Sequence, residues 1–142
     1  MSEHNKEFVI DFIAVNDCSF YAKVPVFRIS QQWQPTAHLD LDVKTRVLDN
    51  NQFEVDLAID VKVRLDDADI FAVHVVQTGA FTIKGYDADA IEQLTESFCP
   101  SVLYPYAREN VARLVAHAGF PQLHLSPVDF EGRYHAQKNS AQ

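Results

Sequence analysis

Glycine is scarce in this chain, with four in 142 residues, and they never gather into a loop that could cradle phosphate. Cysteine is scarcer still: Cys18 and Cys99 make neither a disulfide framework nor a CxxC metal pair. Positive charge is the third shortage, with 12 basic residues against 20 acidic ones and a net charge of −8. A nucleic-acid backbone demands a basic footprint and an anionic membrane surface attracts one, so the charge argues against both partners. No apolar run approaches the ~20 residues that span a bilayer. The amino terminus, MSEHNKE, has no basic start leading into an apolar segment, so neither a signal peptide nor membrane insertion is expected and a cytoplasmic location is. Catalytic patterns are missing too. There is no HExxH and no nucleophile elbow, and the histidines at 4, 38, 74, 117, 124 and 135 have no ligand spacing. We therefore expect no metal, no cofactor and no enzyme.

What is present reads as a single domain over residues 1–142, with residues 1–7 and about 139–142 disordered. Phe8 to Tyr21 is rich in β-branched and aromatic residues with broken alternation, which predicts one long strand with a bulge near Asn16-Asp17. A loop follows over residues 22–37, bounded by Pro25 and Pro35 and carrying Phe27, Ile29 and Trp33, the only tryptophan. A loop of that length in a compact domain is uncommon and tends to be functional, although the three side chains could equally plug it onto the core.

Residues 38–50 return to strand and reach Asn50-Asn51, a good pair for a tight hairpin. From Phe53 to Leu65 apolar residues alternate strictly with polar or small ones, which means a sheet with one buried and one wet face. Asp66-Asp67-Ala68-Asp69 reads as a second turn and not as a calcium loop, because it lacks the glycine and distal glutamate. Ile70 to Lys84 predicts a fourth strand interrupted at Thr78-Gly79, where the glycine marks a bulge or a close backbone approach.

Asp87 should cap a helix through about Phe98. Pro100 and Pro105 then lie outside regular helix, with Pro105 opening a long helix at its first position. Ala107, Val111, Leu114, Val115 and Ala118 recur along one face of that helix, and Gly119 with Pro121 stops it. Its other face carries Arg108, Glu109, Asn110, Arg113 and His117. A last helix over about 128–138 should be short and broken by Gly132. The fold class is α+β: a four-stranded antiparallel sheet, a long helix and a short C-terminal helix.

The run CP..LYPYARE from Cys99, followed by GFPQL.L.PV.F ending at Phe130, resembles the SecB family of protein-export chaperones. Trp33-Gln34-Pro35 and Leu39-Asp40-Leu41-Asp42 fit the same family, and with gaps the resemblance covers roughly residues 8 to 131. It implies an ATP-independent holdase that binds unfolded or precursor polypeptides, keeps them translocation-competent and delivers them to the SecA motor. It also implies a homotetramer, a dimer of dimers. Phe27, Ile29, Trp33, Tyr104, Phe120, Pro121 and Leu123 would line the client groove. Arg108, Glu109, Asn110, Arg113 and His117 would form the contact between dimers. SecA would dock on a face holding Asp17, Tyr21, Ala72 and His74; there Tyr21 and His74 replace the family's usual glutamates, so docking is expected to be weakened or re-aimed. Two alternatives stay open. One is a divergent general or toxin–antitoxin-associated chaperone without SecA delivery, and the other is a small-ligand-binding, hot-dog-like domain.

Overall fold

The computed structural model describes residues 5–140. Four antiparallel strands come first: β1 (Glu7–Ala22), β2 (Thr36–Val47), β3 (Gln52–Leu65) and β4 (Ala68–Lys84). Their order in the sheet is β1-β4-β3-β2, so β1 and β2 are the edges. Of the termini expected to be disordered, residues 1–4 and 141–142 lie outside the described residues. Within the described residues Glu7 pairs with Lys84 and the last helix runs to Ser140.

Both hairpin turns are made by residues that tolerate the left-handed region. Asn50 and Asn51 have φ of 61° and 62°, and Asp66 and Asp67 have φ of 51° and 67°. The second turn is tighter than expected, for Ala68 already pairs with Leu65 and Asp69 with Arg64. β1 bulges twice, once in the expected place between Val15 and Asp17 and once between Ile10 and Phe12. Each extra residue flips the alternation, which is why this strand reads with broken alternation in the sequence. β4 is not interrupted at Gly79, which keeps register with Ile13 on one side and Val55 on the other. The glycine instead permits close packing. A Cβ there would lie 2.6 Å from the Phe81 ring and 3.0 Å from Leu103 of the helix above.

The helical part departs from the two-proline break. α1 (Ala88–Gln93), capped by Asp87 through the Ala90 N–H at 2.8 Å, runs through a π turn (Leu94–Phe98) directly into α2 (Cys99–His117). Pro100 sits in the first turn of α2 and Pro105 sits inside it. The wide turn, in which Cys99 N–H donates to the Leu94 carbonyl, arrives just where Pro100 has no N–H to give. Past Pro105 the helix continues because Leu103, Ala107, Val111 and Val115 are buried beneath it and Tyr104 is buried against Phe130. Tertiary burial outweighs one missing backbone bond. Gly119 (φ 84°) then ends α2 in a Schellman motif, with Phe120 N–H on the Val115 carbonyl and Gly119 N–H on that of Ala116.

α3 (Phe130–Ser140) is continuous, and Gly132 does not break it. Its N–H donates to Asp129 Oδ1 at 3.0 Å, and a Cβ at 132 would collide with that carboxylate, so the glycine serves the cap. Phe130 packs edge-on to Tyr104, Arg133 donates to the Leu41 carbonyl at 2.7 Å, and the Tyr134 hydroxyl donates to Glu92. That bond and Lys138 hold the Glu92 carboxyl below its ordinary range. Glu96, one turn away, accepts from Thr45 Oγ1 at 3.2 Å but is partly desolvated, and burial raises its pKa.

Two outcomes follow from this packing. Gly79→Ala should cost about 1–3 kcal/mol by overpacking the sheet–helix contact, read as a lower urea midpoint at unchanged slope. Glu96 favours the protonated state when folded, so its contribution is fully present below the ordinary carboxyl range and is lost as pH rises through the raised value. Glu96→Gln, which can still accept from Thr45, should therefore gain stability over the parent at neutral pH. The gain should vanish in acid, as urea midpoints at the two pH values would show.

Candidate functional site

Two surfaces collect the residues singled out from the sequence. The first is where the loop after β1 meets the segment after α2. That loop holds one 3-10 turn, Val26–Arg28. The Trp33 ring lies 5.7 Å from that of Phe120, which lies 4.7 Å from Phe71 and 6.2 Å from Phe20. Gly119 sits so near Val26 that a Cβ would be 3.2 Å from its Cγ1. The two loops therefore touch, and an aromatic cluster pins both to the end of the sheet.

The expected groove residues divide by burial, and Tyr104 lies apart from that cluster, against Phe130 of α3. Phe120 is 4% exposed, and Tyr104 is buried with its hydroxyl donating to the Ser126 carbonyl at 2.6 Å. Within the chain these two are core. Ile29, Trp33 and Leu123 are half-buried, Pro121 is exposed, and Phe27 stands 82% exposed with the Arg28 guanidinium 5.9 Å from its ring. Leu123 also lines a crevice of about 600 Å³ between α2 and the following segment, with Pro105, Arg108 and Ala112. Phe20 and Phe71 belong to the cluster but were not singled out, because each reads in sequence as an ordinary strand residue.

The polar side of α2 is mostly as expected. Arg108, Glu109, Arg113 and His117 are exposed, and Arg113 pairs with Glu109 at 2.8 Å one turn back. Asn110 differs. Its Nδ2 donates to Oε1 of the buried Gln77 in β4 at 2.9 Å, so it ties the helix to its own sheet. Cys99, fully buried at the start of α2, has its thiol pushed up to about 12 by burial and is chemically quiet.

The second surface is the sheet face turned away from the helices. Asp17, Tyr21, Ala72 and His74 all lie there on the paired strands β1 and β4, with Tyr21 directly opposite Ala72. His74 bridges two carboxylates: Nδ1 is 2.7 Å from Asp60 Oδ1 and Nε2 is 3.5 Å from Asp17 Oδ2. The pairing with Asp60 joins residues 14 apart, which strand periodicity does not reveal without the register. Further along, Arg46 clamps Glu54 at 2.7 Å and Asp56 at 2.8 Å, and Thr78 donates to Asp56 at 2.7 Å. Among the described residues no group of three histidine, cysteine or carboxylate side chains could hold a metal ion, and no helix is long and apolar enough to cross a membrane.

Known proteins match along the whole chain. The family model described as preprotein translocase subunit SecB matches residues 1–141. A protein-export protein SecB of Legionella pneumophila (strain Corby) is 39% identical over 136 residues, covering 96% of this chain and 84% of its own length. That of Hydrogenovibrio crunogenus is 40% identical over 144 residues, covering 99% and 97%. Among solved structures, the SecB-like chaperone of Mycobacterium tuberculosis in complex with a ChAD peptide from the HigA1 antitoxin superposes with a TM-score of 0.74. It covers 85% of this chain and 90% of its own at 16% identity, a likeness of fold.

Proposed function

Because the chain belongs to the SecB family of protein-export chaperones, we propose that it is a holdase that captures unfolded polypeptides without ATP and keeps them competent for translocation. One observation carries the site assignment. Phe27 is 82% exposed on a loop that Trp33 and Phe120 pin to the core. A large apolar side chain held out on an anchored loop offers contact area without demanding a particular client sequence, which is what binding many extended chains requires. Ile29, Pro121 and Leu123 would extend that surface, while Phe120 supports it from beneath and Tyr104 braces the segment after α2 through Ser126. Family membership favours this reading over a small-ligand domain, and no catalytic role is assigned to any residue. The toxin–antitoxin-linked alternative is compatible with the fold likeness, but the relatives of 39–40% identity fit the export reading better.

We read the chain as one domain acting in the cytoplasm as a homotetramer, a dimer of dimers. The exposed Arg108, Glu109, Arg113 and His117 would lie at the dimer–dimer contact, and Asn110 would hold that helix in place. The outer sheet face would dock the SecA motor, through Asp17 above all. Because His74 already engages Asp17 and Asp60, that docking is weakened or re-aimed relative to a fully acidic face.

Phe27→Ala should leave stability within about 0.5 kcal/mol of the parent. It should weaken capture of a reduced, urea-unfolded polypeptide about five- to tenfold, measured by size exclusion and fluorescence titration. Phe120→Ala should instead cost about 3–5 kcal/mol of stability. Undiminished capture by the Phe27 variant would remove the groove from this loop. For assembly, Arg113→Glu places like charges four residues apart on the helix and should convert tetramers to dimers. An unchanged mass by light scattering would count against that interface.

A further inference from the structure

The outer sheet face is not uniformly acidic, and the pairing register shows where its charge changes sign. Ala72 stands directly between Tyr21 on β1 and Lys62 on β3. The next outward row along the strands holds His74 with Asp60 and Asp40, and the row after that holds Asp17 and Asp42. Successive outward rows are two residues apart, about 6.6–7 Å.

Because alanine is small, the first row is hollow. An open notch of about 370 Å³ is lined by Ala72, Tyr21, Lys23, Lys62 and Asp69, with Val63 and Phe71. Asp69 is held by Arg64 Nε at 3.1 Å and contributes little net charge. Lys23 and Lys62 have no carboxylate within 4.0 Å among the described residues. Tyr21, 67% exposed, adds an apolar ring and a hydroxyl that can donate to an anion. In a chain of net charge −8, two unpaired lysines beside an aromatic ring and a hollow form a local cationic site at the border of an acidic band.

We propose that this face receives an extended partner segment patterned acid-x-base-x-base. Its carboxylate would enter the Ala72 notch between Lys23 and Lys62, and its two cations would lie over the Asp60/Asp40 row and the Asp17/Asp42 row. An extended segment presents side chains i, i+2 and i+4 on one side at the same spacing as these rows, so the three charges match in register when the segment runs in the direction of β4, from the notch toward Asp17. The acidic band alone would accept any basic peptide, whereas the notch makes the order of charges matter. This inference rests on the reading of the outer face as the partner-docking surface.

The test is fluorescence anisotropy at low ionic strength on the full chain, with two labelled peptides of identical composition. One is patterned Glu-x-Lys-x-Lys, and the other has its glutamate in the middle. The first should bind about three- to tenfold more tightly, the combined effect of two exposed charge pairs. The Lys23→Glu/Lys62→Glu protein should lose or invert that preference, and Ala72→Leu, which fills the notch, should bring the matched peptide down to its isomer. Melting temperatures of the variants separate these effects from misfolding. Equal binding of the two isomers that still depends on Asp17 and Asp60 would overturn the notch and leave outer-face docking standing. A preference that survives the lysine changes would also overturn the notch. Failure of both peptides to bind would overturn the notch and the docking surface together.

Discussion

The close seating of α2 on β4 is the contact on which the rest of this structure depends. Gly79 has no side chain, so Leu103 and the Phe81 ring occupy the space where a Cβ would be. From that point Ala107, Val111 and Val115 continue down the inner face of the sheet, every one fully buried. Enough apolar surface leaves water along this line to carry the helix through Pro105 and to make the π turn before Pro100 tolerable. The same line fixes where α2 ends. The Schellman turn at Gly119 delivers Phe120 onto Phe71 and beneath Trp33.

Burial then falls off in steps along one continuous surface. Phe120 is core, Trp33 is half-buried against it, and Phe27 projects into water on the same loop. A loop anchored in this way loses little conformational freedom when something binds it, because the ordering has already taken place on folding. Its exposed ring can be generous in what it touches without being mobile at its base. For a protein of a family whose members handle unfolded chains, this combination of a fixed base and an unspecific tip is the physically useful one.

With the inner face sealed by α2, the outer face is free to be polar. Its charges are ordered by the strand ladder and do not form a diffuse field. Arg46 absorbs Glu54 and Asp56 at one end, His74 bridges Asp17 and Asp60 in the middle, and the lysines flank Ala72 at the other end. The two faces of one sheet thus have separate tasks. One holds the fold and, through its aromatic end, anchors the two loops; the other presents a charge pattern.

The four strands and the stop at Gly119 were legible in the sequence, as was the one-sided burial of β3, because they follow from local rules: period two, left-handed turn residues and a helix stop. The family was legible as well, from a few uncommon residues at a characteristic separation. The candidate site was legible only as two loops and a set of strand residues. Whether Phe120 and Tyr104 are groove or core depends on Phe20, Phe71, Ser126 and Phe130, which come from four other places in the chain. The path of the helix through Pro100 and Pro105 depends on burial against a sheet that the helical stretch does not itself contain. Gly132 reads as a break until Asp129 is seen occupying the space its missing Cβ leaves. The neighbours of His74 depend on a register set by two hairpins and two bulges. Local propensity and periodicity decided the elements, and only tertiary packing decided which side chains remain free, because burial and pairing are properties of neighbours distant in the chain.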